Sequence, residues 1–175
     1  MLRAQFSRLA IAAGLCLGAT SLAIPVNAAT YLNGSATANF DVTLTIVANC
    51  IIAATPLNFG SVQGVLSTAV NVNTTVNVTC TNTTPYNVGL NAGTGTGSSG
   101  TARFMSGTGV NTGTVAFNLF QTSGATLWGN TQGTNTLGGI GSGSLQPLTV
   151  YGQVPAQATP APDAYKSTIT ATVYF

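Results

Sequence analysis

Few side chains in this 175-residue sequence can do chemistry at all. It has no histidine and only two acids, Asp41 and Asp163, and after residue 28 its only cations are Arg103 and Lys166. Acid–base and nucleophilic catalysis need titratable groups converging on one point, so neither a Ser-His-Asp nor a Cys-His arrangement can be built. Asp41 and Asp163 could in principle pair as the acid and nucleophile of a glycosidase. One lies in the N-terminal stretch and the other in a Pro-rich loop, so a solvated surface position is the expectation for each. An amide crosslink from Lys166 to an asparagine lacks the buried glutamate that would promote it. Gly95-Thr96-Gly97-Ser98-Ser99-Gly100 spells G-x-G-x-x-G, but the dinucleotide fingerprint also needs a helix after it and an acid about 20 residues on. Neither is present, and a flexible loop is expected there. Asn73-Thr74-Thr75 and Asn77-Val78-Thr79 read as glycosylation sequons that an Asn/Thr-rich strand produces by chance. No catalytic, cofactor-binding or metal-ligating residue, no cofactor and no small-molecule substrate is expected, and the chain reads as a non-enzyme.

The cysteines point instead to a compartment. Met1–Arg8 is short and basic, Leu9–Ile24 is apolar or small, and Pro25-Val26-Asn27-Ala28 follows. That order describes a secretory leader, with Val26 and Ala28 placing cleavage after Ala28. The apolar run is too short and too rich in Ala and Gly for a membrane span of about 20 apolar residues. Cys16 lacks the small residue directly before it that lipid attachment favours, and it leaves with the leader. Cys50 and Cys80 remain, and in an exported chain two cysteines are most simply one disulfide. A two-cysteine metal site would find no further ligands.

Removing the leader also removes the net charge of +2, because Arg3 and Arg8 carry it. A neutral chain offers no electrostatic footprint for nucleic acid or an anionic membrane. Low charge alone could mean disorder, but the positive mean hydropathy argues for a core. About 147 residues then remain, the usual size of one domain.

The elements expected to build that domain are strands. Helical periodicity is absent after the leader, whereas alternation recurs. Phe40, Val42, Leu44 and Ile46 form one run; Val70, Val72, Val76, Val78 and Cys80 another; Tyr86, Val88, Leu90 and Ala92 a third. Val115, Phe117 and Leu119, then Leu148, Val150 and Val154, and finally Ile169, Ala171, Val173 and Phe175 complete the set. Each suits a strand with one face on a core. Gly93–Gly100 and Gly138–Gly143 read as the loops between them. Many short strands with one disulfide point to an all-β sandwich.

Two ends stand out. The sequence closes at Phe175 within an alternating strand, and Tyr31–Val47 supplies a long segment whose second half alternates strongly. An open edge with an apolar face is an association hazard unless something covers it. A subunit lacking its last strand and carrying a spare one could cover its neighbour by strand addition. Phe40–Ile46 could equally be the first strand of its own domain, and the pattern alone leaves both readings open.

The order of motifs resembles the spore coat protein U family, whose members include pilins of the archaic chaperone–usher class. The similar features are the segment into Cys50, Pro56-Leu57-Asn58-Phe59-Gly60, and Cys80 with Pro85-Tyr86-Asn87-Val88-Gly89-Leu90-Asn91-Ala92-Gly93. Arg103-Phe104-Met105, Trp128-Gly129, Leu148-Thr149-Val150-Tyr151-Gly152-Gln153-Val154-Pro155 and the closing Tyr165–Phe175 follow in order. One departure precedes the last strand, where Ala164 and Ser167 replace the Gly and Asp common in the family. It puts the turn geometry in question. The resemblance implies an incomplete immunoglobulin-like sandwich, held by a periplasmic chaperone, passed through an outer-membrane usher and completed by the N-terminal strand of an identical or related subunit. Phe40, Val42, Leu44 and Ile46 would be the donor plugs. Ile169, Ala171, Val173 and Phe175 would be the acceptor edge and chaperone contact.

The expected organisation is therefore a leader over 1–28, a donor-strand extension over 29–48 and a sandwich domain over 49–175. The function it implies is a structural subunit of a surface pilus that supports adhesion or biofilm formation. Three other readings compete. One is a small outer-membrane β-barrel, which a terminal Phe on an alternating strand also fits. Another is a coat protein that polymerises without an usher. The third is a tip adhesin, which would usually add a separate binding domain for which this sequence has no length.

Overall fold

The computed structural model describes residues 33–63 and 65–175; the leader, its cleavage site and Tyr31 lie outside the described residues. The chain divides between Thr43 and Leu44 into two units. In the first, residues 33–43 are exposed and without regular secondary structure. The second holds every strand of the described residues: β1 (Cys50–Ala54), β2 (Val70–Cys80), β3 (Pro85–Leu90), β4 (Arg103–Gly107), β5 (Thr114–Phe120), β6 (Leu137–Ile140), β7 (Leu145–Val154), β8 (Tyr165–Lys166) and β9 (Ala171–Tyr174).

They form two antiparallel sheets, one ordered β1-β2-β7-β5-β4-β8 and the other β6-β3-β9. The alternation that marks these strands in the sequence is the alternation of burial. Val76, Val78 and Cys80 of β2 point inward, as do Val150 and Val154 of β7, while Asn71 and Asn73 face water. Tyr86, Val88 and Leu90 of β3 meet them from the smaller sheet, so one core lies between the two sheets. Burying an aliphatic or aromatic side chain of this size contributes about 1.5–3 kcal/mol, so the inward rows dominate the stability. Cys50 and Cys80 face each other in the β1–β2 register and are joined as a disulfide. At a sequence separation of 30, the bridge stabilises the fold by about 3–4 kcal/mol in the chain-entropy picture.

One expectation needs correction. Gly138–Gly143 is not wholly a loop, because Leu137–Ile140 forms the edge strand β6 on β3. Its glycines are what let it pair there. The Tyr86 ring lies against Gly139 so closely that a Cβ at that position would sit 2.5 Å from the ring. The Phe40–Ile46 run, for all its alternation, joins no strand among the described residues.

Candidate functional site

β9 sits at the end of the smaller sheet and bonds to β3 on one side. The register, with the 3.1 Å bond from the Asn91 N–H to the Thr170 carbonyl, fixes which groups are used. The even residues Thr170, Thr172 and Tyr174 turn their backbone groups toward β3, so the odd residues turn theirs away. No strand of the described residues bonds to that second edge. Ile169, Ala171 and Val173 are odd, and their side chains pack half-buried against the core. Phe175 lies past the end of β9 and is 58% exposed. Of the four residues expected at this edge, three line it and the fourth projects into solvent.

Beside the edge the core is open. A cavity of about 530 Å³ runs between the segment Ala54–Phe59 and the approach to β9, Lys166–Ala171, with Leu90, Leu119 and Val150 among its lining residues. A second, of about 660 Å³, continues between Leu57–Val62 and Thr159–Tyr165. The two share Leu57, Phe59 and Met105, so together they make one trough, mainly apolar beside β9 and mixed in polarity toward Asn58, Ser61 and Asp163. Its wall depends on two local features. Gly152 of β7 leaves room for Leu57, whose methyl would lie 2.5 Å from a Cβ there, and Phe59 meets Phe117 edge-on at 6.4 Å. Gly60, at φ +76°, then turns the chain, its N–H bonded to the Asn58 side chain at 2.8 Å. The Pro56–Gly60 motif was visible in the sequence, but nothing in it signalled a groove wall.

The four residues expected as plugs are exposed: Phe40, Val42 and Leu44 each 85% and Ile46 76%. Four large apolar side chains facing water on residues without strand pairing are costly unless a partner covers them. They belong to one continuous stretch of alternation, about 20 Å long if extended.

Two of the charged groups, Arg103 and Asp163, do structural work. Arg103 on β4 is 1% exposed, and burial lowers its pKa to about 10. Its Nε donates to the Asn91 carbonyl at 2.9 Å, and Nη2 donates to Leu90 and Trp128 carbonyls at 2.8 and 2.6 Å. Trp128, fully buried, donates its Nε1–H to the Val88 carbonyl at 2.8 Å. This pair ties β4, the end of β3 and the loop before β6 together, which composition alone did not reveal. Asp163 accepts from the Gly109 and Ala164 N–H groups at 3.1 and 2.8 Å, so its carboxylate caps a turn. Ser167, part of the departure from the family pattern, holds its turn through its hydroxyl, which accepts from Thr94 and Gly95 N–H at 3.2 Å each. Among the described residues no group of three His, Cys, Asp or Glu side chains could hold a metal. The trough offers apolar contact and open backbone bonds rather than acid–base chemistry.

Comparison with known proteins bears on the same features. A crystal structure of the CsuC-CsuE chaperone-tip adhesion subunit pre-assembly complex from archaic chaperone-usher Csu pili of Acinetobacter baumannii is similar, with a TM-score of 0.54 and 25% identity. The likeness covers 75% of this chain and 40% of that chain, so this chain spans less than half the length of its neighbour. It identifies the two-sheet architecture as immunoglobulin-like. No curated protein matches. The Spore Coat Protein U domain model matches residues 36–172, a span that includes the exposed Phe40–Ile46 run, the disulfide, the trough and the start of β9, and the chain belongs to that family.

Proposed function

We propose that the protein is a structural subunit of a surface pilus, assembled by the chaperone–usher route through donor-strand complementation and serving adhesion or biofilm formation. The observation that carries this reading is a complementary pair of features. One chain has an exposed alternating quartet without strand pairing, Phe40, Val42, Leu44 and Ile46, and an apolar trough beside the unbonded edge of β9. A strand laid on that edge gains main-chain hydrogen bonds and fills the trough with every second side chain. In transit a periplasmic chaperone would cover the same edge, at Ile169, Ala171, Val173 and Phe175, and an outer-membrane usher would pass the subunit on. The family match and the chaperone-bound pilus subunit complex among similar structures support this partner set. The barrel reading has lost its ground, since two open sheets ending in β1, β8, β6 and β9 are not a closed barrel.

The test is a charge in the donor. Leu44→Asp or Ile46→Asp would carry an unpaired carboxylate into an apolar trough, which costs several kcal/mol. Polymers should fall by at least about 100-fold, equivalent to about 2.7 kcal/mol, while the monomer remains folded and bound to its chaperone. A variant that unfolds or is degraded despite its chaperone would make the segment an ordinary strand of its own domain. Polymerisation of the wild-type chain at full rate without any usher would favour the coat-protein reading.

A further inference from the structure

Reduced sulfur is scarce in this chain, and what there is stands at the trough. Among the described residues Cys50 and Cys80 are joined to each other, which leaves the thioether of Met105 as the only reduced sulfur. Met105 lies on β4 opposite Val115 of β5, and its side chain packs half-buried against the core. It lines both cavities, the one of about 530 Å³ and the one of about 660 Å³. A strand filling the trough therefore passes over it, in whichever direction that strand runs. Trp128, the other side chain that oxidants readily attack, is fully buried.

We propose that Met105 is a redox modification site, and that its conversion to the sulfoxide closes the trough to an incoming strand. The inference rests on the donor-strand reading above. The oxidant class is a peroxide. The sulfur gives an electron pair to one oxygen of hydrogen peroxide, the O–O bond breaks, an S=O bond forms and the second oxygen leaves as water. Sulfur loses two electrons and the peroxide gains them. Before that step Met105 is an apolar, flexible wall that adapts to plugs of different shape. Afterwards it is polar, and its new oxygen accepts hydrogen bonds. A seated strand strips water from that oxygen and brings Phe40, Val42, Leu44 and Ile46, whose side chains have no donor. Burying the oxygen unpaired is strongly disfavoured. A strand already seated covers the sulfur, so oxidation acts on a chain before assembly and not after it.

The test separates the chain from its chaperone in denaturant and treats it with hydrogen peroxide until the Met105 peptide gains one oxygen by mass spectrometry. Peroxide is then removed, and the chain is refolded with untreated chaperone and allowed to assemble. Polymer yield should fall at least about tenfold, through the unpaired oxygen in the trough. A methionine sulfoxide reductase acting before refolding should restore it. Met105→Leu, of similar volume but without sulfur, should assemble and be indifferent to the same treatment. In polymers of the wild-type chain, Met105 should oxidise at least about tenfold more slowly than in the denatured chain. Normal yield from the sulfoxide chain overturns the proposal, as does an equal loss in Met105→Leu, no rescue by the reductase, or unprotected sulfur in polymers. Loss of the β-sheet circular dichroism in the refolded sulfoxide chain also overturns it, since Met105 would then act only through the core. A Leu44→Asp chain run alongside separates the premises. If it assembles, the donor-strand reading fails and takes this inference with it; if it does not while the sulfoxide chain does, this inference alone fails.

Discussion

At the scale of the residue, Arg103 shows how a nearly uncharged chain uses the charge it has. Its guanidinium is surrounded by carbonyls rather than carboxylates, and Nη1 is buried without a hydrogen-bond partner. Replacing it with Leu would leave the Leu90, Asn91 and Trp128 carbonyls without a donor, at about 1–3 kcal/mol for each buried group. Relief from burying a cation offsets part of that. A net loss of about 2–4 kcal/mol is expected, read as a lower denaturant midpoint. Arg103→Lys should recover little of it, because an ammonium cannot span three carbonyls in the geometry of the planar fork. Arg103 also has a calculable pH signature. Its folded pKa lies below the ordinary guanidinium value, so from about 10 upward the folded state releases the proton first and stability gains as pH rises. Tyr86 opposes it: burial raises its pKa above 10.0, so its contribution is intact below that pH and lost above it. Tyr86→Phe should therefore flatten the alkaline loss in denaturation curves taken above pH 10, and an unaltered loss would exclude Tyr86 as its source.

At the scale of the element, β9 and the segment leading into it form an edge with two unlike faces. Val173 and Thr172 are neighbours, yet one packs on the core and the other bonds its backbone to β3. Val173→Asp should reduce chaperone-bound soluble subunit at least about tenfold through the cost of an unpaired charge in an apolar site. Deleting Thr172–Phe175 should do the same, leaving aggregated or proteolysed chain. Thr172→Asp, on the outer face, should not. Normal co-purification of the Val173→Asp subunit would remove β9 from the acceptor site. β1 approaches β9 to within 8 Å, Cα to Cα, without pairing with it. A strand seated between two others needs them about 9.5 Å apart, twice the strand spacing, so seating one here requires β1 and β9 to part.

At the scale of the molecule, the apolar quartet and the trough are each costly alone. Joining them within one chain should remove both costs. A second copy of Phe40–Val47 attached after Phe175 through a short polar turn, with Tyr31–Val47 deleted, would let the chain fill its own trough. Four plugs at about 1.5–3 kcal/mol each are an upper bound on the gain, since strand ordering opposes it. An increase in Tm of at least about 10 °C with complete loss of polymerisation is expected, measured by thermal melts and size-exclusion chromatography. Continued polymerisation, or an unchanged Tm, would argue that the trough does not accept this segment.

What the sequence by itself determined is whatever depends on local pattern. Alternation marked β2, β3, β5, β7 and β9 because burial on a pleated sheet repeats every two residues. The cysteine count led to Cys50–Cys80, and the lack of titratable groups left no catalytic constellation to look for. Alternation does not name a strand's partner, and that only the tertiary structure decided. Phe40–Ile46 reads as well as any core strand, yet it joins no sheet of the described residues, while Leu137–Ile140, with two glycines, became a strand because the Tyr86 ring needed bare backbone beside it. Leu57 and Phe59 became a groove wall because Gly152, nearly a hundred residues later, left room for them. Pairing and packing join residues far apart in the chain, so no window of sequence contains both halves of such a contact.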